Sequence, residues 1–331
     1  MNTLRAILFS RDRAMQLDAT LSSFFLHCTD ADRVDLFVLY HATDARHAKQ
    51  YALLAEAYTG VQFVPQVDFR QDLLRLTAPG TSQGLPAPVS RDYGELIGFG
   101  PDTRTLIGRI WKRTARRFQF QAIRYLQRKA LDDKYVLFLV DDNIFIRDFR
   151  VGQILTALTE SPRWLGFSLR LGTNTTFCYP FNRTQRLPDF TGLGDDLLQF
   201  DWSISELDFG YPLEVSSSVY RLSDIRPLIL VLRFQHPNDL EEQMATSVGL
   251  FRSQHPLLGC FRTSVTFCNP VNKAQSHFPN RAGEDYAYAI EELADRFEAG
   301  ERIDVLQYSG FVPVGCHHET ELIFKPAGRS K

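Results

Sequence analysis

The sequence lacks the features that mark membrane-spanning, disulfide-rich or repetitive proteins. Its apolar runs are short, and Ala6 to Phe9 is followed at once by Arg11 and Asp12, so neither a signal peptide nor a spanning helix is expected. Its five cysteines form no Cys-x-x-Cys pair, which favours reduced thiols over a disulfide framework or a zinc ribbon. There is no internal repeat. A cytoplasmic protein is expected, with peripheral contact to a membrane left open.

Neither sign of charge is in excess. The 331 residues include 37 Lys and Arg against 39 Asp and Glu, so the whole chain has no electrostatic preference for nucleic acid or an acidic surface. The sequence also lacks Gly-x-x-x-x-Gly-Lys-Ser/Thr, the phosphate loop of P-loop nucleotide-binding proteins. Hydrophobic residues make up 44% of the chain, which is a globular composition. No sequence feature predicts an oligomeric state.

Strand and helix patterns alternate in the first half of the chain. Helical spacing relates Leu17, Leu21, Phe24 and Phe25, and the segment 45–58 also reads as a helix. The predicted strands are Leu4 to Phe9, Asp35 to Tyr40, Val61 to Pro65, Tyr135 to Val140 and, later, Trp164 to Leu169. Such alternation predicts an α/β fold with a Rossmann-like, mixed and mostly parallel central sheet flanked by helices.

A basic helix is predicted from about Arg109 to Lys129, directly before the strand that ends at Val140. An apolar stripe at offsets of four, three, four and three is expected to face the core: Trp111, Ala115, Phe118, Ala122 and Tyr125. The cationic residues form either a solvated face or a phosphate contact through one or two of Lys112, Arg113 and Arg116. The preceding segment, 77–105, is rich in Pro and Gly and is interpreted as either a lid or a disordered loop.

Two carboxylates and an amide, Asp141-Asp142-Asn143, follow the apolar strand that ends at Val140. Acidic side chains are costly beside a buried strand unless they are solvated, hydrogen-bonded or bound to a cation. A solvated turn is the simpler interpretation, because Asp and Asn are ordinary turn residues. Ligands of open α/β sheets nevertheless collect at the carboxyl ends of strands. The segment therefore indicates a site for a divalent cation and the phosphates that it carries.

The arrangement resembles the GT-A glycosyltransferases, particularly their family 2-like members. The resemblance rests on the opening Ile7 to Arg13, on the basic helix, and on Val140 to Asn143, with weaker similarity in the second half of the chain. It implies one domain, 1–331, with a nucleotide-sugar-binding half, 1–148, and an acceptor-binding half, 149–331, that includes a C-terminal extension. It also implies Mn²⁺ or Mg²⁺ and an inverting transfer from a nucleotide-diphosphate sugar, preferably a UDP-sugar, to a hydroxyl of a glycan or glycolipid.

In that family an Asp-x-Asp motif binds the ribose of the sugar nucleotide and the cation. By this resemblance Asp142 is the expected metal ligand, and Asp141 contacts the ribose or a metal-bound water. Asn143 stands where the family usually has an acid, and its amide would contact the cation or the donor sugar. The loops after the first two strands are expected to hold the base and ribose through Ser10, Arg11 and Asp44. Ser10 and Asp44 also fit the alternative role of helix caps.

The catalytic base is sought among Asp239, Glu241 and Glu242, with Asp239 preferred, because an inverting transferase needs a carboxylate to accept the proton of the acceptor hydroxyl. The competing interpretation is structural: Asn238 caps a helix and Glu241 completes the capping box. Near the carboxyl end, His318 is expected to complete the metal site by the resemblance. His317 is its alternate, because adjacent residues of a strand point in opposite directions.

Aromatic residues of the second half have two interpretations. Trp202, Phe209 and Tyr211 either stack on sugar faces or fill the core. Two other functions also stay open at this stage. A sugar-phosphate nucleotidyltransferase would form pyrophosphate, and it would be favoured by a Gly-rich phosphate loop that Phe9 to Arg13 does not supply. A non-catalytic carbohydrate-binding protein is the other.

Overall fold

The structure is a computed structural model that describes residues 3–79, 106–131, 134–273 and 281–328. Side chains at 3, 106–116 and 128–129 lie outside this description. Nearly all of the predicted lid or loop, 77–105, and the side chains of Lys112 and Arg116 are therefore outside the described part of the chain.

Alternating strands and helices build the first half of the fold. They are β1 (Thr3–Arg11), α1 (Ala14–His27), β2 (Val34–His41), α2 (Ala45–Ala57), β3 (Gln62–Pro65), α3 (Phe69–Leu76), α4 (Leu106–Leu131) and β4 (Lys134–Val140). β1 pairs in parallel with both β2 and β4, and β2 pairs in parallel with β3. The strands and helices predicted in this half are all present, and only α3 is absent from the prediction.

The second half contains shorter strands and four helices in its described part. They are β5 (Asn143–Phe145), α5 (Val151–Glu160), β6 (Trp164–Ser168), β7 (Phe177–Cys178), β8 (Arg183–Thr184), β9 (Thr191–Gly194), β10 (Leu197–Asp201), β11 (Ser218–Arg221), α6 (Leu222–Val231), α7 (Pro237–Thr246), β12 (Leu257–Phe261), β13 (Thr266–Cys268), α8 (Ile290–Glu298), β14 (Glu301–Ile303) and β15 (Phe324–Pro326). The pairs β5/β13, β7/β8 and β14/β15 form small antiparallel sheets.

Nine strands form the central sheet in the order β3-β2-β1-β4-β11-β6-β12-β10-β9. Only β11 and β10 run against the direction of the other strands in this sheet. The predicted α/β class, with a mixed and mostly parallel sheet flanked by helices, is confirmed. Strands from both 1–148 and 149–331 belong to this one sheet. The division into two functional halves remains a prediction.

Helices cover both faces of the sheet, so the central strands are apolar on both sides. Alternate residues of β1 enter two different core clusters, with Leu4 and Leu8 in one and Ile7 and Phe9 in the other. The first cluster includes apolar residues of α1, α5 and α8, whereas the second includes residues of α3, α4, α6 and α7. This two-sided burial explains why β1 and β4 read as continuous apolar runs.

The prediction of which side of α4 faces the core is wrong. Phe118, Ala122 and Tyr125 are exposed, whereas Phe120 and Leu131 are fully buried. The two other members of the stripe lie outside the described side chains. Apolar residues at helical spacing occur on both sides of α4. Packing against α6 determines which side is buried. The exposed face is therefore apolar, which composition and spacing did not indicate.

In the part of the chain that the structure describes, no helix is both long and apolar enough to cross a membrane. The five cysteines are buried free thiols.

We expect Gly259→Ala to destabilise the fold. A Cβ at this position of β12 would lie 2.7 Å from Cδ2 of Phe167 and would also collide with the Trp164 ring. Both rings are completely buried, so overpacking should cost about 1–3 kcal/mol in the free energy of unfolding. The matched control is Gly192→Ala on β9, where nothing lies within 4 Å of the added atom. Equal midpoints in urea for the two variants would contradict this packing.

Candidate functional site

A cavity of about 1000 Å³ opens where β1, β2 and β4 end. Ligands are expected at such an edge, because the carboxyl ends of parallel strands meet there. The segment after β6, the segment before β11 and the helix α7 form other walls. Six of the predicted site residues line the cavity: Ser10, Arg11, Asp141, Asp142, Glu241 and Glu242.

The turn between β1 and α1 folds back onto the end of β4. Asp12 adopts a left-handed backbone conformation with φ of 56°, which Asp tolerates better than most residues. The turn brings Arg13 into a buried ion pair in which Nη1 lies 3.1 Å from Oδ1 of Asp141. Oδ2 of Asp141 accepts hydrogen bonds from Ser10 Oγ at 2.8 Å and from the Arg11 amide at 3.3 Å. Both carboxylate oxygens of Asp141 are therefore engaged within the protein.

Asp142 differs from its neighbour. Its Oδ1 is buried without a hydrogen-bond partner, and its Oδ2 lies 3.8 Å from Nη1 of Arg13. Burial raises the pKa of Asp142 to about 6, the Asp141 charge adds to the rise, and the Arg13 charge opposes it. Asp142 is thus a partly compensated carboxylate that lines the cavity.

Asn143 lies away from the cavity, and this does not match its predicted contact with a cation or the donor sugar. Its side chain is fully buried, with Oδ1 accepting from the Val140 amide at 2.9 Å and Nδ2 donating to Cys268 Sγ at 3.3 Å. Thr20 Oγ1 in α1 donates to the Asn143 carbonyl at 2.8 Å. The amide therefore closes the turn between β4 and β5 and has no free atom for a ligand.

The donor atoms fit a divalent cation only if a substrate supplies further ligands. Among the described residues no group of three or more His, Cys, Asp or Glu side chains is arranged to hold a metal ion. Asp142 Oδ1, a buried carboxylate oxygen without a partner, is the kind of atom that binds a hard cation. Magnesium sites often use one or two carboxylates together with substrate phosphates and water. The residues present fit a cation that arrives with a phosphorylated ligand.

Asp44 and Ser10 have structural roles, as the capping alternative partly anticipates. Asp44 is exposed and caps α2 by accepting from the His47 amide at 2.8 Å, and it does not line the cavity. Ser10 lines the cavity, but its hydroxyl group bridges Asp141 and the Tyr51 hydroxyl at 2.8 and 2.7 Å. The expected direct donor contact of Asp44 has no support in this arrangement, and Ser10 instead orients Asp141.

The helix α7 begins two residues earlier than the capping-box interpretation predicts. His236, and not Asn238, is the N-cap, with Nδ1 accepting from the Asp239 amide at 3.2 Å. Asp239 Oδ2 accepts from the Gln235 amide at 2.9 Å, so the preferred catalytic base is occupied at the helix start and lies outside the cavity lining. The α7 carboxylates that line the cavity are Glu241 and Glu242.

A charged wall that the sequence reasoning missed faces Glu241. Arg170 is a largely buried residue of the cavity lining, with Nη2 3.7 Å from Oε2 of the buried Glu214. Glu241 Oε2 accepts from the Val215 amide at 3.0 Å. Burial raises the pKa of Glu241 and Glu214 adds to the rise, whereas Arg170 opposes it. Arg170 follows β6 as Asp141 follows β4, so the strand-end rule is the signal that would have found it.

The two adjacent histidines lie in different environments, and of the two it is His317, the predicted alternate, that lines the cavity. His318, the predicted metal ligand, packs on Phe267 and Phe311 and lies outside the cavity lining. His317 lines the cavity, and its Nδ1 is buried without a hydrogen-bond partner. Burial, together with the Arg170 charge, lowers the pKa of His317 to about 3, so the imidazole is neutral and able to act as an acceptor or ligand.

The aromatic residues divide between core and cavity. Trp202 and Phe209 are buried in the core, whereas Tyr211 and Tyr179 line the cavity. Arg281 lies over the Tyr179 ring with its Cζ 4.8 Å from the centroid. The core interpretation is therefore confirmed for Trp202 and Phe209, and a surface for a sugar face remains at the two tyrosines.

No protein-family model matches the chain. Among curated proteins, it is 22% identical over 242 residues to the bifunctional glycosyltransferase pgtA of Dictyostelium discoideum, a match that covers 69% of this chain and 25% of that protein. The chain is similar to a glycosyltransferase. It spans about a quarter of the length of this relative. The finer resemblance to family 2 members stays a prediction.

Solved structures with a similar backbone have low TM-scores. S. aureus TarS has a TM-score of 0.39 at 13% identity, covering 78% of this chain and 35% of that one. The galactosyltransferase LgtC has a TM-score of 0.32 at 13% identity, covering 88% and 95%. Mouse xyloside xylosyltransferase 1 has a TM-score of 0.30 at 12% identity, covering 77% and 78%. Similarity at this level carries no argument about activity.

We expect Asp142→Asn to stabilise the metal-free protein at pH 8 and not at pH 4. The pKa of Asp142 is about 6 in the folded protein, and an unfolded Asp has a pKa of about 3.9. The folded state therefore binds the proton more tightly, and ionisation costs stability progressively as the pH rises from about 4 to 6. Well above pH 6 the variant should gain about 3 kcal/mol in the free energy of unfolding.

Thermal or urea unfolding in the presence of a chelator, from pH 4 to pH 8, measures this gain. The control is Asp32→Asn, which removes an exposed carboxylate. A variant that is less stable than the parent at pH 8, or a gain that does not change with pH, would contradict the environment described for Asp142.

Proposed function

We propose that this chain is a glycosyltransferase that binds a nucleotide-diphosphate sugar in the cavity and transfers the sugar to a hydroxyl group of a carbohydrate or glycolipid acceptor. The observation that carries the proposal is Asp142, a carboxylate that lines the strand-end cavity and has one buried oxygen without a hydrogen-bond partner. The similarity to the bifunctional glycosyltransferase of Dictyostelium discoideum supports an enzyme of this class. The cavity, at about 1000 Å³, is large enough for a nucleotide sugar.

The charges of the cavity favour a cation that accompanies the donor. Each lining arginine already has an acidic neighbour: Arg11 with Asp12 at 3.7 Å, Arg13 with Asp141 at 3.1 Å, and Arg281 with Glu284 at 2.8 Å, while Arg170 pairs with Glu214 at 3.7 Å. A diphosphate would therefore meet cations that are already neutralised. Asp142 would hold Mn²⁺ or Mg²⁺, with His317 as a candidate second ligand. Such an ion neutralises the charge that develops on the departing nucleoside diphosphate.

Glu241 is the catalytic base of the proposed inverting reaction. It lines the cavity, and burial raises its pKa, which makes its carboxylate a stronger base than an exposed Glu. Glu241 would accept the proton of the acceptor hydroxyl as that oxygen bonds to the anomeric carbon and the nucleoside diphosphate leaves from the opposite face. The Val215 amide, which donates to Oε2, would orient the carboxylate.

A UDP-dependent thermal shift that requires Mn²⁺ and Asp142 tests the donor site. We expect UDP with Mn²⁺ to raise the melting temperature of the parent by several degrees, because a ligand that binds only the folded state stabilises it. Asp142→Asn should lose the Mn²⁺-dependent part of the shift, measured against its own ligand-free melting temperature. The control is Asp44→Asn, which preserves the α2 cap and should keep the full shift.

The same experiment compares carriers by including GDP and CMP. An equal shift for Asp142→Asn and the parent would rule out the ligand role of Asp142. No shift with any nucleotide would argue against the donor site itself.

We expect Glu241→Gln to lower kcat about 10²–10⁴-fold, the usual contribution of a general base. The nucleotide-induced thermal shift should persist, because the amide keeps the size of the side chain. Release of the nucleoside diphosphate from a donor in the presence of acceptor is the readout. Formation of pyrophosphate from a nucleoside triphosphate and a sugar phosphate would indicate a nucleotidyltransferase instead. The control is Asp239→Asn, which should keep its turnover. Loss of turnover in the control but not in Glu241→Gln would restore Asp239 as the base.

A further inference from the structure

Helix α4 presents an apolar surface that no described part of the protein covers. Phe118 is 77% exposed, Tyr125 82% and Leu126 77%, and the exposed Ala122 lies between them. These four residues, here called the α4 surface, recur at offsets of four, three and one and thus share one side of the helix. Exposed aromatic and aliphatic side chains in a contiguous row indicate a site of interaction.

The opposite side of α4 fixes the helix firmly to the protein. Phe120 is completely buried and makes an edge contact with Phe251 at 5.4 Å between ring centroids. Arg124 forms an ion pair with the buried Asp224 of α6 at 2.7 Å and donates to Gln254 at 2.8 Å. The α4 surface is therefore held outward by packing and ion pairing, and rotating it inward would break these contacts.

The sequence of α4 is strongly cationic. Its 26 residues include eight Lys or Arg and no Asp or Glu, although the whole chain has a net charge of −2. Of these cationic residues, Arg124 forms an ion pair with Asp224. The side chain of Arg117, next to Phe118 in the sequence, is exposed. A cationic helix with exposed Phe, Tyr and Leu has the composition of a segment that lies in the interface of a bilayer.

We infer that the α4 surface docks on an anionic lipid bilayer, with its apolar side chains at the headgroup boundary and the neighbouring Arg117 against lipid phosphates. The charge argues against a second copy as the occupant, since pairing two α4 helices would bring like charges together. The apolar character argues against nucleic acid, whose phosphates offer nothing to Leu126 and Ala122. An anionic bilayer satisfies both properties of the helix at once.

Arg124 pairs with Asp224 in the first turn of α6, at the edge of the sheet opposite the cavity, because β11 runs against β4 and ends beside Tyr135. Docking through the α4 surface is therefore separate from ligand binding in the cavity. Binding to plain vesicles requires neither donor nor acceptor, so its outcome is independent of the transferase activity.

Vesicle co-sedimentation of the full chain tests the inference. The vesicles contain phosphatidylcholine alone or with about 30% phosphatidylglycerol, in about 0.1 M salt. We expect binding only to the anionic vesicles, and a loss of binding as the salt is raised. The combined substitutions Phe118→Ser, Tyr125→Ser and Leu126→Ser should lower the partition coefficient at least about tenfold. Arg117→Glu should lower it by a smaller factor.

The matched control replaces three exposed apolar residues elsewhere, Val67→Ser, Ile204→Ser and Leu306→Ser, and should bind as the parent does. Circular dichroism verifies that all variants are folded. Absence of binding to anionic vesicles, or equal binding by the α4 variant and the parent, would overturn the inference. A dimer that the α4 substitutions dissociate, or binding to an oligonucleotide in place of vesicles, would overturn it in favour of those partners.

Discussion

The buried ion pair between Arg13 and Asp141 is the contact on which the site depends. Both side chains are only 7% exposed, so neither charge could remain there without the other. Arg13 also donates to the Asn272 carbonyl at 2.7 Å, which ties the start of α1 to the segment after β13. One guanidinium group thereby joins three separate parts of the chain at the end of the central sheet. The pair leaves the next residue, Asp142, as the carboxylate with an unpartnered oxygen.

The environment of Asp142 lowers the stability of the metal-free protein and leaves a carboxylate for the proposed cation. Arg13 Nη1 lies 3.1 Å from Asp141 Oδ1 and 3.8 Å from Asp142 Oδ2. The guanidinium group therefore stabilises the charge of Asp142 less than that of Asp141. A buried carboxylate without a full partner raises the free energy of the metal-free folded protein. A cation that binds Asp142 would recover this energy, and the recovered energy would appear as affinity for the ion and its phosphorylated ligand. The opposing environments of the two adjacent Asp residues thus separate the structural role of Asp141 from the metal-binding role proposed for Asp142.

Sequence patterns predicted the parallel part of the fold well, because β1, β2, β3 and β4 are short apolar runs between helices. They failed on α4, where Phe118 and Phe120 both belong to plausible apolar stripes. The packing of α4 against α6, the ring contact of Phe120 with Phe251 and the ion pair of Arg124 with Asp224 decide which stripe is buried. That decision depends on residues about 100 positions away in the sequence, and local periodicity contains no information about it.

The sequence predicted the site residues that directly follow a strand. It did not predict those whose direction depends on the residue at which a helix begins. Asp142 lines the cavity because β4 ends at Val140, a boundary that the sequence marks clearly. The base assignment depends on α7, whose start fits two signals: His236 with Asp239 and Asn238 with Glu241. Moving the start by two residues rotates the helix by about 200° relative to its cap. With His236 as the cap, Asp239 bonds back to Gln235, and the next turn presents Glu241 to the cavity.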